Sequence, residues 1–323
     1  MQQILKYQEI IDNRLRNYVF PDKPSNLYDP LRYFLKIGGK RTRPSLTMLS
    51  CSLFGEPGIK ALNAALAIEM FHNFTLIHDD IMDDAPLRRG QQTVHEKWNS
   101  DIAILSGDTL FTEAINVLAQ NDAKDLPKLI AIYTKTSREV CEGQQMDMDY
   151  ESSSTVTIPE YIEMIRLKTS VLLGAALEMG AIVAGVENKQ DIQNIYDFGV
   201  NIGLAFQIQD DILDLYAESS KFGKQVGGDI LANKKTFLLL KAFELADETI
   251  KKEMNILLDN ASGDEKVIKM KQIFDQLKVR EEAELLKTFY YKKALKNMED
   301  ISVSSENKRS LLELAESLMT REF

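Results

Sequence analysis

Apolar residues recur at helical spacing along nearly the whole chain, whereas the alternation of apolar and polar residues that marks a β-strand is rare. One segment shows the pattern clearly, because Leu62, Leu66, Met70, Phe74 and Ile77 follow each other at intervals of three or four residues. Residues at this spacing lie on one face of an α-helix. The sequence therefore predicts an all-α protein.

Glycine and proline clusters mark the ends of the predicted helices. Thr157 and Glu160 have the spacing of a capping box with Pro159 in the first turn, so a helix is expected from there to about Gly180. The other helices are predicted at about residues 3–17, 27–37, 43–54, 59–84, 94–120, 125–149, 189–216, 234–257, 264–278, 280–298 and 305–320.

The composition does not divide the chain into parts. Apolar residues make up 44% of the 323 residues, and the one polar interruption, at 151–157, is short enough to be a loop. A chain of this length and even composition can bury one large core. We therefore expect a single domain, 1–323, built as a large helical bundle around a central cavity.

Charge and cysteine content limit the function classes. The net charge of −10 and the pI near 5.0 argue against nucleic acid or an anionic membrane as the main partner. Cys51 and Cys141 are too few for a disulfide framework and too far apart for a zinc motif, and they suit a reducing cytosol. The N-terminus shows neither a long apolar stretch nor a small-residue cleavage site, so no targeting segment is expected, and no apolar run reaches the ~18 residues of a membrane span. We expect a cytoplasmic protein.

Two aspartate-rich segments carry the candidate chemistry. The first aspartate motif comprises Asp79, Asp80 and Asp83, and the second comprises Asp210, Asp211 and Asp214. In each motif the first and last carboxylates are four residues apart and share a helix face, and oxygen donors of this kind suit Mg²⁺. Both motifs follow apolar runs, so each should end a buried helix and face a cavity. Two facing motifs could hold several Mg²⁺ ions around a polyanion, for which a diphosphate is the natural candidate.

Each of these segments also has a less specific interpretation. One aspartate segment alone is as readily a solvated helix end as a functional site, but the second copy favours function. With only three histidines in the chain, His78-Asp79 does not make a metal phosphohydrolase site. Glu69-x-x-His72 lacks the second such pair that a di-iron bundle requires. Asp147 and Asp149 are interpreted as solvated or structural, and Asp84 as a helix-end carboxylate.

Cations accompany the carboxylates. Lys40, Arg41 and Arg43 follow a glycine pair, and Arg88 and Arg89 come just after the first aspartate motif. Arginine forks match phosphate oxygens, and glycines let the backbone come close to a ligand. Two groups of cations beside two groups of carboxylates indicate two anionic substrates, one bound through metal and one bound directly.

The motifs occur in an order that resembles one family, the trans-isoprenyl diphosphate synthases or polyprenyl synthetases, from about Leu31 to about Leu240. The C-terminal third carries no usable signature. The motifs that carry the resemblance are Gly38-Gly39-Lys40-Arg41-x-Arg43-Pro44, Glu69-x-x-His72, the first aspartate motif with Arg88-Arg89-Gly90, Lys168-Thr169, Gln207-x-x-Asp210-Asp211-x-x-Asp214, Gly223-Lys224, and Gly228-Asp229-Ile230 leading to Asn233-Lys234.

The resemblance implies an isoprenoid-synthase-type fold, a homodimer, and head-to-tail condensation of isopentenyl diphosphate with an allylic diphosphate. It implies that all six motif aspartates hold Mg²⁺, about three ions with the allylic diphosphate bound. Carried over by position, the contacts to the allylic diphosphate are Arg88, Lys168, Thr169, Gln207, Lys224 and Lys234. Those to isopentenyl diphosphate are Lys40, Arg43, His72 and Arg89. Lys168 and Lys224 are also expected to act in catalysis.

Product length is expected to depend on the residues just before the first aspartate motif. A helix rises about 1.5 Å per residue, so Phe74 lies roughly 7.5 Å deeper than Asp79, where it would close the pocket of the growing chain. In the family, an aromatic residue at this position with a smaller one after it, here Thr75, resembles medium-chain enzymes. We expect geranylgeranyl rather than farnesyl diphosphate, with Phe111 or Ile115 as a possible second floor.

Two rival functions stay open at this point. A class I terpene cyclase would ionise the same substrates but is expected to carry a different second motif and no Lys40, Arg43 and Arg89 pocket. A non-catalytic partner subunit of a heteromeric prenyltransferase usually loses aspartates, and this chain keeps all six.

Overall fold

The structure, a computed structural model, describes residues 2–153, 155–217 and 227–320, and it confirms the predicted all-α class. The helices, in chain order, are α1 Gln2–Arg16, α2 Ser25–Lys36, α3 Thr42–Leu53, α4 Leu62–Met82, α5 Val94–Lys97, α6 Ser100–Leu118, α7 Leu126–Ser152, α8 Ile158–Ile165, α9 Val171–Val183, α10 Lys189–Tyr216, α11 Gly228–Leu231, α12 Phe237–Leu245, α13 Glu248–Asn260, α14 Gly263–Gln276, α15 Val279–Glu299 and α16 Ser305–Met319.

Two predicted helices are in fact each broken by a capping residue. The prediction of one continuous helix at 94–120 is wrong, because Asn99 caps a new helix by accepting the N–H of Ile102 at 2.8 Å. The helix expected at 234–257 divides in the same way, because Asp247 accepts the N–H groups of Thr249 and Ile250 at 3.0 and 2.9 Å. A side chain that satisfies the first free N–H groups of a helix sets where that helix starts.

A small antiparallel hairpin follows α4 and was not predicted. Its strands, β1 Leu87–Arg88 and β2 Gln91–Gln92, are too short to show an alternating pattern. The two residues of its loop, Arg89 and Gly90, have φ of 52° and 75°. Two successive positive φ angles match the twist of a tight hairpin. The hairpin therefore fixes the backbone of both arginines that follow the first aspartate motif.

A π-helical turn, Arg166–Ser170, separates α8 from α9 inside the helix that was expected to run unbroken to Gly180. Two glycines let this widened turn approach its neighbours. A Cβ on Gly143 of α7 would lie 2.2 Å from the backbone nitrogen of Lys168, and a Cβ on Gly203 of α10 would lie 2.7 Å from Cα of Ser170. Turns of this kind occur often at functional sites. This one carries Lys168.

The chain divides into two compact units. Unit 1 comprises Met1–Lys135, Ala175–Tyr196 and Ile301–Leu314, and unit 2 comprises Thr136–Gly174, Asp197–Asp300 and Ala315–Phe323. Phe71 and Met48 are fully buried in unit 1, and Phe198 and Phe274 are fully buried in unit 2. The expectation of a single domain around a central cavity stays a prediction. Within the described ranges, every helix falls short of the length or apolarity that crossing a bilayer requires.

Candidate active site

The first aspartate motif stands at the C-terminal end of α4, as the sequence predicted. The preceding part of the helix is buried on nearly all sides, with Ile68, Met70 and Phe71 at 1% exposure or less. Asp79 is half-buried, and Asp83, the residue that caps the helix, is exposed. The backbone N–H of Asp83 donates to the carbonyl of Asp79 at 2.8 Å. The helix therefore presents carboxylates at the point where its apolar surroundings end.

Asp80 differs from its neighbours in the motif because it is only 1% exposed and holds an arginine. Arg88 Nε lies 2.8 Å from Asp80 Oδ1 and 2.9 Å from Oδ2, and Nη2 lies 2.7 Å from Oδ1. A buried carboxylate is stable only when it is paired and hydrogen-bonded. The pair therefore ties the hairpin to the end of α4 and orients Arg88.

The glycine pair before α3 receives the second arginine of the hairpin. A guanidinium N–H of Arg89 donates to the carbonyl of Gly38. A Cβ on Gly39 would lie 2.7 Å from Arg89 Nη1, a distance that real Cβ contacts do not show. A residue other than glycine would push this guanidinium away. The glycine pair thus positions a cation that the sequence placed in the isopentenyl diphosphate pocket.

Arg43 and His72 lie together beside Arg89. Arg43 Nη1 is 3.1 Å from His72 Nε2, and Arg43 Nε is buried and has no hydrogen-bond partner among the described residues. Burial, followed by the charges of Arg43 and Arg89, holds the pKa of His72 well below its usual range. Burial also lowers the pKa of Arg43, as does Arg89, against the opposing effect of Glu69. The site is a cationic cluster in which the cations repel one another.

Arg41 is separated from this cluster by its own ion pairs. It is 3% exposed, Nη1 donates to Glu69 at 2.7 Å, and Nε and Nη2 both lie 3.2 Å from Asp12. Of the three cations that follow the glycine pair, Arg41 is thus already neutralised by its ion pairs. Arg43 meets a histidine instead, and Lys40 is exposed.

The second aspartate motif lies near the end of α10 in unit 2, and its middle residue is again buried. Asp211 is 4% exposed, and its Oδ2 accepts the hydroxyl of Tyr161 at 2.5 Å and the N–H of Phe237 at 3.2 Å. Burial and the charge of Asp229 raise the pKa of Asp211 to about 8, although these hydrogen bonds oppose the shift. Asp210 and Asp214 are half-buried. In both motifs the middle aspartate is thus more buried than the outer two.

Asp214 is fixed by the backbone that leads into α11. Its Oδ2 accepts the N–H of Asp229 at 3.1 Å, and its carbonyl accepts the N–H of Gly227 at 2.7 Å. Lys234 follows through its N–H, which donates to the carbonyl of Asp229 at 2.9 Å. The backbone around Gly228 and Asp229 therefore holds the last residue of the second aspartate motif in position.

A cavity of about 120 Å³ in unit 2 brings several of the predicted residues together. Lys168 and Asp147 meet there, with Nζ 2.5 Å from Oδ2. Lys224 lies outside the described residues. The predicted site residues that line the cavity are Lys168, Thr169, Gln207, Asp211 and Lys234.

Four ionisable residues of the cavity were missed as site residues by the sequence reasoning: Asp147, Tyr161, Asp229 and Lys235. Asp147 was set aside because its spacing to Asp149 does not fit a metal site. Asp229 belongs to a motif that was recognised without being given a role. Tyr161 follows the Thr157 cap by one turn, and a lone tyrosine gives no signal in one sequence.

An aromatic cluster surrounds Phe74 in unit 1. Its ring centroid lies 5.2 Å from that of Phe111, 5.7 Å from Phe71 and 4.7 Å from His78. Phe111 in turn lies 5.8 Å from Tyr133. The hydroxyl of Thr75 donates to the carbonyl of His72 at 2.8 Å. The residue expected as the floor of the product pocket is therefore one member of a packed aromatic layer.

The outer aspartates of both motifs fit Mg²⁺ by their chemistry. Asp79, Asp83, Asp210 and Asp214 offer carboxylate oxygens, the donors that this hard cation prefers. All four retain some exposure, so an ion with its waters can approach. The buried Asp80 and Asp211 already hold protein donors.

Several known proteins are similar to this chain over most of its length. A family model described as polyprenyl synthetase matches residues 24–277. A geranylgeranyl pyrophosphate synthase of Geoglobus acetivorans is 38% identical over 318 residues, which cover 97% of each protein. A short chain isoprenyl diphosphate synthase of Methanothermobacter thermautotrophicus is 38% identical over 325 residues, covering 100% of this chain and 98% of the relative. A crystal structure of geranylgeranyl pyrophosphate synthase matches with a TM-score of 0.93 at 42% identity, over 99% of each chain.

Proposed function

Because this chain belongs to the polyprenyl synthetase family, we propose that it joins isopentenyl diphosphate head-to-tail to an allylic diphosphate and releases diphosphate. The expected product is a medium-chain all-trans prenyl diphosphate, geranylgeranyl in the first place. Similarity to relatives named geranylgeranyl pyrophosphate synthase supports this choice.

The observation that carries the proposal is the cationic cluster of Arg43, His72 and Arg89. Neighbouring cations raise the free energy of the ligand-free protein, and a bound anion relieves their repulsion. Among the described residues Arg43 meets no carboxylate within ion-pair distance, whereas Arg41 two positions earlier meets two. This contrast supports the proposal that the cluster binds a substrate anion. We propose that this anion is the diphosphate of isopentenyl diphosphate, with Lys40 as a further contact.

The aspartate motifs are proposed to serve the allylic diphosphate. Asp79 and Asp83 in unit 1 and Asp210 and Asp214 in unit 2 would hold Mg²⁺, about three ions in all. Bound Mg²⁺ would stabilise the charge that builds on the diphosphate as the allylic C–O bond breaks. The two buried aspartates were also expected as metal ligands, and we propose instead that they act through the protein groups they hold. Asp80 would orient Arg88 toward the diphosphate. Asp211 would fix the end of α10 through its bonds to Tyr161 and the Phe237 N–H.

The remaining residues bind and orient the substrates. We propose Lys168, Thr169, Gln207, Lys224 and Lys234 as further contacts to the allylic diphosphate. Departure of the diphosphate leaves an allylic cation, and the double bond of isopentenyl diphosphate attacks it to form the new C–C bond. A proton then leaves the adjacent carbon to restore a double bond, with the released diphosphate as its acceptor. No side chain acts as a nucleophile, so the protein contributes position, charge and exclusion of water.

Lys168 has a partner that explains how it is held before substrate arrives. Its ammonium lies on Asp147 at 2.5 Å inside the cavity of unit 2. We propose that Asp147 keeps the ammonium in the cavity and that the diphosphate then competes for it. Asp147 would thus be a positioning residue. Its place in the cavity supports the structural interpretation made from the sequence over the solvated one.

Two further expectations belong to this proposal. The homodimer that the family resemblance implies, and the cytoplasmic location that the composition indicates, both stay predictions. Phe74, with Thr75 beside it, is proposed to limit product length together with Phe111, because the two rings pack at 5.2 Å.

The test is incubation of the purified protein with labelled isopentenyl diphosphate, an allylic diphosphate and Mg²⁺, followed by chromatography of the dephosphorylated products. Labelled, elongated prenyl alcohols are expected. Unlabelled cyclic hydrocarbon would indicate a terpene cyclase instead. If neither product forms, the chain acts as a non-catalytic subunit and the proposal fails.

A further inference from the structure

Three side chains at the base of the hairpin form a cluster that the proposed reaction does not use. Asp84, His95 and Glu96 each offer one atom that could bind a metal ion, and these atoms all lie within 4.8 Å of one another. Asp84 and Glu96 are exposed, whereas His95 reaches the cluster from below the surface. All three belong to unit 1.

His95 is the unusual member of the cluster. Its side chain is 6% exposed, and both ring nitrogens are buried without a hydrogen-bond partner among the described residues. The shortest approach to a carboxylate, from Nε2 to Glu96 Oε1, is 3.8 Å, which is too long for a hydrogen bond. Leaving a buried polar group unpaired costs about 1–3 kcal/mol. The imidazole thus has unused donor and acceptor capacity directed at two carboxylates.

The local fold holds the cluster in place. Asp84 has a φ of 48°, which turns the chain sharply after the first aspartate motif. Thr93 then closes the loop, because its hydroxyl donates to the carbonyl of Ala85 at 2.8 Å and its N–H donates to the carbonyl of Pro86 at 3.2 Å. These bonds bring residue 84 next to the short helix α5 that carries residues 95 and 96.

We propose that Asp84, His95 and Glu96 bind a divalent transition-metal ion such as Zn²⁺, at a site separate from the Mg²⁺ sites of the aspartate motifs. One imidazole and two carboxylates form a ligand set that suits Zn²⁺ or Co²⁺, whereas Mg²⁺ prefers oxygen ligands alone. Zn²⁺ binds its ligands at about 2.0–2.2 Å, so the carboxylates must move inward. Their exposure allows that movement and leaves room for a water ligand.

The proposed ion has a structural consequence for the substrate pocket. The hairpin that it would anchor at its base carries Arg88 and Arg89, one paired with Asp80 and the other on the carbonyl of Gly38. An ion bound only by the folded hairpin stabilises that fold by mass action. The site would therefore stiffen the segment that presents both arginines.

The test uses Co²⁺ as a probe, because its absorption bands report the ligands directly. The full-length protein is titrated with Co²⁺ in a large excess of Mg²⁺, which keeps the aspartate motifs occupied. We expect one equivalent of Co²⁺ to bind, with bands that shift when Zn²⁺ displaces it. His95→Gln should lose this site, and Glu96→Gln, an exposed change that leaves the buried ring in place, should weaken binding at least about tenfold.

His78→Gln is the matched control. His78 is likewise a histidine near a carboxylate, with Nε2 3.8 Å from Asp108, but unlike His95 its Nε2 also contacts the carbonyl of Ile104, at 3.2 Å. This variant should bind Co²⁺ as the wild type does.

Two results would overturn the proposal. One is Co²⁺ binding that Mg²⁺ abolishes, which would place the ion in the aspartate motifs. The other is equal Co²⁺ affinity in wild type, His95→Gln and Glu96→Gln. That result would show that Asp84, His95 and Glu96 do not bind the metal ion.

Discussion

Arg43 Nη1 lies 3.1 Å from His72 Nε2. A guanidinium only donates hydrogen bonds, so Nε2 of His72 must accept, and the ring is neutral with its proton on Nδ1. The electrostatics agree, because burial and the charges of Arg43 and Arg89 hold the pKa of His72 well below its usual range. The histidine thus enters the cluster as an acceptor for one cation and leaves Nδ1–H available to an anion.

This relationship predicts how stability depends on pH in the ligand-free protein. Below about pH 6.5 the unfolded chain binds a proton at His72 that the folded chain does not. The free energy of unfolding should therefore fall as the pH drops, by up to about 1.4 kcal/mol per pH unit. His72→Gln should remove this part of the slope, as measured by urea unfolding between about pH 5.5 and 7.5.

His78→Gln serves as the control for that experiment, because it removes a histidine outside the cationic cluster. It should keep the low-pH loss of stability. An unchanged slope in His72→Gln would mean that folding does not lower the pKa of His72, and the cluster would then differ from the one described.

Replacing Arg43 is predicted to impair substrate binding, whereas replacing Arg41, two residues earlier, is predicted to reduce stability. Arg43→Ala should raise the KM for isopentenyl diphosphate by about tenfold to 150-fold, the equivalent of about 1.5–3 kcal/mol for a lost charged contact. The KM for the allylic substrate should change little. Arg41→Ala breaks a buried ion pair with Glu69 and should cost about 3–5 kcal/mol of stability.

Steady-state kinetics with each substrate varied in turn, together with thermal melts, separates the two effects. Equal changes in both KM values for Arg43→Ala would show that the division of the cations between two substrates is wrong.

The π-helical turn predicts a contrast between two glycines. In Gly143→Ala the new Cβ would meet the backbone of Lys168 at 2.2 Å, whereas in Gly107→Ala it would meet the ring of His78 at 2.3 Å. A side chain can rotate away, but a packed backbone has to shift. Both changes gain similar helix propensity. Gly143→Ala should therefore be the less stable, by about 1–3 kcal/mol, with a lower kcat through displacement of Lys168. Thermal melts in which Gly107→Ala is less stable than Gly143→Ala would contradict the close approach of Gly143 to the π-helical turn.

Product length should respond to the aromatic layer. Phe74→Ala should lengthen the products by at least one isoprene unit, and Phe74→Ala with Phe111→Ala should lengthen them further, because the two rings pack at 5.2 Å. Thr75→Phe should shorten them. Phe289→Ala, which removes an exposed phenylalanine, is the control and should leave the products unchanged. Chromatography of the dephosphorylated alcohols measures the length, and unchanged products in the double variant would place the floor elsewhere.

Much of the fold was predictable because local signals set it. The capping box of Thr157 and Glu160 is present with both of its bonds, and α4 ends at the first aspartate motif as expected. The breaks at Asn99 and Asp247 were also local, and they were missed because apolar periodicity continues across them. The π-helical turn is different in kind, since it depends on Gly143 and Gly203 from distant parts of the chain.

The sequence predicted which residue types form the candidate site, but it did not predict which residues pair with them. Nothing in the local pattern distinguishes Arg41 from Arg43, because the difference lies in Asp12 and Glu69, which form ion pairs with Arg41 and not with Arg43. In the same way, the burial of Asp80 and Asp211 depends on Arg88 and Tyr161 from other segments. The family and the prenyltransferase class, which rest on motif order, are confirmed. The role of each site residue stays a prediction.

The most direct test of the account measures incorporation of labelled isopentenyl diphosphate at saturating Mg²⁺ in Asp79→Ala and Asp210→Ala, one change in each aspartate motif. Asp122→Ala, an exposed aspartate outside both motifs, is the control. Turnover should be abolished in the two motif variants and kept in the control, while metal-free melts of the motif variants equal or exceed those of wild type because carboxylate repulsion is relieved. Full incorporation by either motif variant would contradict the claim that both motifs bind the catalytic metal.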